Sequence, residues 1–189
     1  MASPASSVRT FDTSIDVAAP ARARVNRVLN QHLADAFDLW SQVKQAHWNV
    51  KGADFWQLHK LFDDVATEVA RWVDELAERV TALGGYANGT ARMAAAASGL
   101  PEFPTDITHG MEYVNAIAAR LGTFTNSARE AIDETDKLGD ANTADLFTEI
   151  SRCADKYLYF LEAHLQERPR SVPSSRPGSA RTTRRSASR

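Results

Sequence analysis

The sequence predicts an all-α fold, a four-helix bundle whose second and third helices are joined by a long crossover. Three observations predict it. Apolar residues recur at three- and four-residue spacing along four long segments, the mark of helices that bury one face. Breaks at Gly52, Gly84-Gly85, Gly139 and Pro169 separate or end those segments. Alternating strand-like segments, phosphate-cradling glycine patterns, paired-cysteine motifs and nucleophile elbows are all missing from the sequence. With 189 residues and 43% hydrophobic content, the chain can build one domain with a real core and still have length left for tails.

Residues 1–19 mix Ser, Ala, Asp and Pro and are expected to form a flexible or loosely docked N-terminal segment. Pro20 opens the first helix, because its fixed φ suits a first turn. Val25, Leu29, Leu33, Ala36, Trp40 and Val43 carry that helix to His47 or Trp48, and Gly52 is placed to stop it. From Phe55 to Leu83 there is no proline or glycine, and Phe55, Leu58, Phe62, Val65, Val69, Trp72, Leu76, Val80 and Leu83 line one face of a second, long helix. Tyr86 to Thr105 reads as a connection broken by Gly89, Gly99, Pro101 and Pro104, with a short helix over Ala91 to Ser98. Thr105 or Asp106 is expected to cap the third helix, with Ile107, Met111, Val114, Ile117, Leu121, Phe124 and Ala128 inward. After Gly139 and Asp140 the fourth helix is expected to bury Leu146, Ile150, Cys153, Tyr157, Phe160, Leu161 and Leu165, ending by Pro169. The bundle therefore occupies residues 20–167, and residues 168–189 form an Arg/Ser/Pro-rich tail expected to be disordered.

Charge is divided unevenly along the chain. The net charge is −2, yet seven of the 22 basic residues lie in the tail, leaving 15 against all 24 acids, or −9, on residues 1–167. The tail residues are Arg168, Arg170, Arg176, Arg181, Arg184, Arg185 and Arg189, with no acid among them. No apolar run approaches the roughly 20 residues that span a bilayer, and the N-terminus lacks the apolar core of a secretory signal. The single cysteine, Cys153, reads as a small buried hydrophobe. These features predict a cytoplasmic protein without disulfides or membrane contact.

The chemistry concentrates in five residues, His47, His59, Asp63, Asp74 and Glu78. On the second helix His59 and Asp63 are four apart, as are Asp74 and Glu78, so each pair projects from adjacent turns and can grip one ion. Asp63 and Asp74 are eleven residues apart, which places the pairs on one face but about 16 Å apart along the axis. Metal bonds of about 2.0–2.2 Å cannot bridge that gap within one helix. An antiparallel copy, related by a two-fold axis near Glu68 and Val69, brings one chain's His59 and Asp63 opposite Asp74 and Glu78 of the partner subunit. His47, from the end of the first helix, is expected within reach of His59. Two imidazoles and three carboxylates suit iron or manganese better than copper(I) or a thiolate-held structural zinc. Taken singly, each residue is equally a core histidine or a solvated acid; it is the joint pattern that points to an intersubunit site.

The run Lys44-Gln45-Ala46-His47-Trp48-Asn49-Val50-Lys51-Gly52, with Phe55, Leu58-His59, Phe62-Asp63, Asp74 and Ala77-Glu78-Arg79, resembles the signature of Dps proteins, the DNA-binding mini-ferritins of starved bacterial cells. The resemblance extends through Thr143 to Ser151 and Glu162 to Leu165, and so covers roughly residues 22–167. It implies a ferritin-like bundle that assembles into a hollow dodecamer, with the ferroxidase ligands on the same five residues. His47, His59 and Asp63 would come from one subunit, and Asp74 and Glu78 from the other. The Glu-x-x-His helix pairs that build a di-iron site inside a single bundle are missing, which favours the intersubunit arrangement. The resemblance further implies oxidation of Fe(II), preferentially by hydrogen peroxide, at a di-iron centre, storage of ferric oxyhydroxide in an acidic cavity, and association with the bacterial nucleoid.

Three further groups follow. The resemblance places Asp140, Asp145 and Glu149 around an iron-entry pore on the three-fold axis, although Asp140 reads equally as an N-cap. Trp48 and Trp56 fall near the site, as interceptors of stray oxidants or as packing at a subunit contact. The arginine tail lies beyond the matched region; a flexible polycation binds duplex DNA without reading bases, and a shell of twelve would carry about 84 such charges. The alternatives are an iron store without DNA binding, and a DNA-compacting structural protein whose iron site is slow.

Overall fold

The computed structural model of the protein describes residues 9–166. Residues 1–8 and the arginine tail lie outside the described residues. The helices are α1 (Ala19–Asn49), α2 (Phe55–Ala82), α3 (Ala91–Ala97), α4 (Gly110–Lys137) and α5 (Ala141–Leu165). Helix α1 pairs with α2 and α4 with α5; α1 also packs on α4, which joins the two hairpins into a bundle, and α3 lies across α1. The core between them is continuous. It runs through Leu29, Leu33, Leu39 and Val43 of α1, Phe62, Val69, Trp72 and Leu76 of α2, Ile117, Leu121 and Phe124 of α4, and Phe147, Ile150 and Leu161 of α5. Burial of these faces, rather than helix propensity, stabilises helices of this length.

The crossover from α2 to α4 is fastened to a polar stripe on α1. Asn30 donates to the Tyr86 carbonyl at 3.2 Å and accepts from the Asn88 amide at 2.8 Å. Gln31 caps the Ala97 carbonyl at the end of α3, at 2.9 Å. Asp35 accepts from the Gly99 amide at 2.7 Å, and Asp38 from the Ser98 hydroxyl at 2.7 Å. Gln42 donates to the Pro101 carbonyl at 3.1 Å and accepts from Arg120 of α4 at 2.6 Å. Arg120 is itself buried and also donates to the Glu102 carbonyl. A connection that carries many unpaired backbone groups is thereby satisfied by five side chains spaced one to four residues apart along one helix.

Three details differ from the sequence expectation. Helix α4 starts at Gly110 rather than after Thr105 or Asp106, because Glu112 reaches back to accept from the backbone amides of His109 at 2.8 Å and Thr108 at 2.9 Å. Those bonds hold the Glu112 carboxyl below its ordinary pKa. On α5 the fully buried face is Phe147, Ile150, Ala154 and Leu161; Leu146, Cys153, Tyr157, Phe160 and Leu165 pack only partly buried at its margin. The apolar surface of α5 is wider than one stripe, and residues one position apart divide it between core and rim. On α1 the same division makes Leu39 the buried residue and leaves Trp40 half-buried.

The N-terminal segment is docked over residues 9–18. Phe11 donates its amide to the Gly84 carbonyl at 2.8 Å, and Arg9 lies over the Tyr86 ring. Gly84 has φ +75°, and a Cβ there would stand 2.2 Å from the Phe11 carbonyl oxygen, so the helix stop and the strap that crosses it require the same glycine.

Arg120→Leu is expected to destabilise the fold by about 2 kcal/mol, the usual cost of stranding buried acceptors, here the Gln42 side chain and the Glu102 carbonyl. Denaturant unfolding measures the loss, and amide exchange across residues 86–105 should accelerate more than exchange in α2.

Candidate metal centre

The turn between α1 and α2 brings three of the five expected ligands together. Val50 closes α1 through its amide to the Ala46 carbonyl at 2.9 Å, Gly52 takes φ 109°, and Phe55 starts α2 by donating to the Gly52 carbonyl. His47 and His59 then face each other across the hairpin, with ring centroids 3.7 Å apart and planes 21° from parallel. Each ring is held by the other's backbone: His47 Nδ1 lies 2.8 Å from the His59 carbonyl oxygen, and His59 Nδ1 lies 2.9 Å from the His47 carbonyl oxygen. A carbonyl only accepts, so both Nδ1 atoms carry the proton. In the neutral rings the lone pairs are therefore on Nε2, the form in which histidine binds a metal.

Asp63 stands one turn beyond His59, its Oδ1 3.9 Å from His47 Nδ1. Lys44, one turn before His47 on α1, donates to that same Oδ1 at 2.9 Å. The Lys44 hydrogen bond, with smaller help from the charges of Lys44 and His47, holds the Asp63 carboxyl below the usual carboxylate range. Asp63 is therefore an anion already matched to a cation. Lys44 also lies over the Trp48 ring, 5.8 Å from its centroid.

Asp74 and Glu78 lie on the exposed surface of α2, three turns and more from Asp63, and among the described residues their carboxylates have no hydrogen-bond or ion-pair partner. Among the described residues no three His, Cys, Asp or Glu side chains gather closely enough to hold one ion. His47, His59 and Asp63 thus neighbour one another without converging on one point, and the rise of α2 puts Asp74 and Glu78 about 16 Å farther along a rigid axis. Trp48 and Trp56 are open to solvent, 60% and 72% exposed, beside the paired histidines.

The acids at the start of α5 have three different surroundings. Asp140 is buried and is the N-cap: it accepts from the Thr143 amide at 3.1 Å and the Thr143 hydroxyl at 2.6 Å, and pairs with Arg79 of α2 at 2.7 Å. Asp145 is exposed and without a partner among the described residues. Glu149 pairs with Arg71 of α2 at 3.0 Å. Cys153 is half-buried, and burial pushes its thiol pKa up, with the neighbouring Glu68 adding to the effect, so it is a weak nucleophile.

Lys44, Arg71 and Arg79 were not assigned roles from the sequence. Lys44 carried a signal, since it lies three residues before His47 and so on the same helical face. The pairing of Arg71 and Arg79 with α5 is a tertiary contact for which α2 alone has no pattern.

The ferritin-like domain family matches residues 26–171. The chain is 42% identical over 161 residues to a DNA protection during starvation protein of Agrobacterium fabrum, a match covering 85% of this chain and 99% of that one. Among solved structures, DpsC from Streptomyces coelicolor superposes with a TM-score of 0.80 at 29% identity, over 86% of this chain and 95% of that one. A Dps homologue from Halobacterium salinarum superposes with a TM-score of 0.80 at 27% identity, over 90% and 94%. No helix among the described residues is long and apolar enough to cross a membrane. On the helical bundle, the family match over residues 26–171 and the identity to a starvation-protection relative, the chain belongs to the Dps family of ferritin-like proteins.

Proposed function

We propose that this protein is a ferroxidase that takes up ferrous iron at a site shared by two subunits, stores the ferric product in a closed shell of twelve, and covers DNA through its arginine tail. The observation that carries the iron reading is the reciprocal bonding of His47 and His59, which leaves the Nε2 lone pair of each ring free on the hairpin that also carries Asp63. A core histidine has both ring nitrogens spent on the protein, as His32 does with the Val28 carbonyl and the Ser127 hydroxyl. His47 and His59 spend one each.

Ferrous iron is the substrate. His47, His59 and Asp63 supply two imidazoles and a carboxylate, and Asp74 and Glu78 of the partner subunit supply two more carboxylates. The symmetry that closes this set also covers Trp48 and Trp56, rings far too exposed for a finished surface. The three carboxylates stabilise ferric iron more than ferrous, which favours oxidation. Two ferrous ions release one electron each; hydrogen peroxide takes both, its O–O bond breaks, and with two protons it becomes two waters. Pairing the electrons avoids the one-electron cleavage that releases hydroxyl radical. Lys44 must give up Asp63 as iron enters. Asp145 and Glu149 are read as acids of the three-fold entry pore, with Asp140 serving the same end of α5 as its cap.

The Agrobacterium relative is named for DNA protection. Seven arginines without a compensating acid supply the sequence-independent phosphate contacts for that role here, and place the shell on the bacterial nucleoid.

Four outcomes are expected. Anaerobic apoprotein given Fe(II) should oxidise it rapidly on addition of hydrogen peroxide, at about two irons per peroxide, and more slowly with dioxygen. A His59→Ala, Asp63→Ala variant should lose the fast phase; equal rates in both proteins would show these residues to be structural. Lys44→Met should tighten Fe(II) binding by about three-fold in an anaerobic titration, the worth of one partly exposed ion pair removed from competition. Removing residues 168–189 should abolish a DNA gel shift that, in the full chain, weakens with salt at a log–log slope of about −6 per engaged tail. A shift that survives the deletion would place the DNA contact elsewhere on the shell.

A further inference from the structure

Arg71 lies at the centre of three carboxylates from two helices. Its Nη2 donates to Glu68 at 2.6 Å and its Nε to the same oxygen at 2.8 Å; Nη1 donates to Glu75 one turn along α2, and to Glu149 across on α5 at 3.0 Å. One guanidinium is thus shared among three acids, and the group keeps a net charge of −2. Glu68 and Glu75 face the same side: the Glu75 Oε2 atom is buried with no hydrogen-bond partner among the described residues. Burial opposes ionisation of both glutamates. Bonds to Arg71 outweigh it at Glu68, whose pKa falls, and do not at Glu75, whose pKa rises.

The antiparallel run of α2 against α5 gives this contact a counterpart. Arg79, two turns beyond Arg71, takes Asp140, while Arg71 takes Glu149. Of the three acids on the first turns of α5, two are held by arginines of α2. Asp145, between them, has none among the described residues. The two contacts differ in kind. Asp140 with Arg79 is buried and doubles as a helix cap, so it belongs to the architecture. Glu149 with Arg71 is exposed on both sides, so it contributes little to stability and is free to exchange partners.

We infer that Arg71 is a charge-setting residue on the iron path: by occupying Glu149, it leaves Asp145 as the acid available to an incoming divalent cation and lowers the attraction the entry exerts. This rests on the reading of Asp145 and Glu149 as pore acids. Arg71 acts through Glu149 and is a positioning residue, not one that touches the oxidised iron. A lysine keeps the charge but not the shared fork of donors. Without the guanidinium, the group of Glu149, Glu68 and Glu75 carries −3 in place of −2, and a cation at the entry gains Glu149 as a second open carboxylate beside Asp145.

The test measures initial rates of peroxide-driven oxidation against Fe(II) concentration in the assembled full-length protein, at two ionic strengths. Arg71→Gln is expected to lower the apparent KM for Fe(II) by about three-fold, the influence of roughly one partly screened charge, and the difference should shrink at the higher salt. Arg71→Lys should keep an apparent KM near that of the parent, and Arg71→Gln combined with Glu149→Gln should lose the gain. An apparent KM that is unchanged or raised in Arg71→Gln, or a change carried wholly by kcat, overturns the inference. Asp145→Asn separates that failure from failure of the pore reading. If Asp145→Asn raises the apparent KM while Arg71→Gln leaves it alone, the pore stands and Arg71 is structural; if neither moves it, both readings fall. Since the Arg71 pairs are exposed, each variant should melt within a few degrees of the parent, which confirms that folded shells are being compared.

Discussion

Two hydrogen bonds between imidazoles and carbonyls govern the end of this molecule where α1 turns into α2. His47 and His59 each donate Nδ1–H to the other's backbone, at 2.8 and 2.9 Å, and in doing so fix three things together. They set the register of α1 against α2 where the hairpin turns at Gly52. They hold the rings face to face, with centroids 3.7 Å apart. They also choose the tautomer, which leaves Nε2 as the open position on both rings. Asp63 and Lys44 fall into place around this pair because they lie one turn away on the two helices it locks together.

Much of this was legible in the sequence, for an identifiable reason. Amphipathic spacing reports one face of one helix, so the extents of α1, α2 and α5 and the short helix in the crossover could all be read from apolar periodicity and from Gly52, Gly84 and Gly139. The candidate site was legible for the same reason: His59 with Asp63, and Asp74 with Glu78, are intrahelical pairs, and the rise of a helix makes it impossible for the pairs to meet in one chain. What periodicity cannot encode is contact between elements. The start of α4 was misplaced because Glu112 captures two amides upstream of Gly110, and a capping acid three residues inside a helix competes with every Thr or Asp before it. The burial of α5 was shifted because its apolar surface is wide enough for two stripes. The crossover looked like loose chain because its partners, from Asn30 to Gln42, read in isolation as the solvated side of α1.

Electrostatics in the chain follows a consistent division between structure and function. The two buried acids among the described residues are each satisfied: Asp140 is both paired and hydrogen-bonded, and Asp35 is held by hydrogen bonds from the Gly99 amide and Gln31. Where acids are exposed, some are matched and others are left open. Asp63 is matched by Lys44 and Glu149 by Arg71, while Asp74, Glu78 and Asp145 are unmatched among the described residues. The body is acidic overall, so each lysine or arginine on these surfaces changes a local field that is otherwise negative.

The bonding of His47, His59 and Asp63 has a consequence for how metal and fold relate. In small zinc domains the ligands are scattered until the ion gathers them, so the energy of binding is consumed in ordering the chain and a chelator unfolds the protein. Here two backbone carbonyls and a lysine already hold His47, His59 and Asp63 in place, although the three do not converge closely enough to enclose one ion. Their order comes from a core of leucines and aromatics and not from a metal. An ion bound at such residues would spend little of its binding free energy on ordering the chain, and its removal would leave the bundle folded.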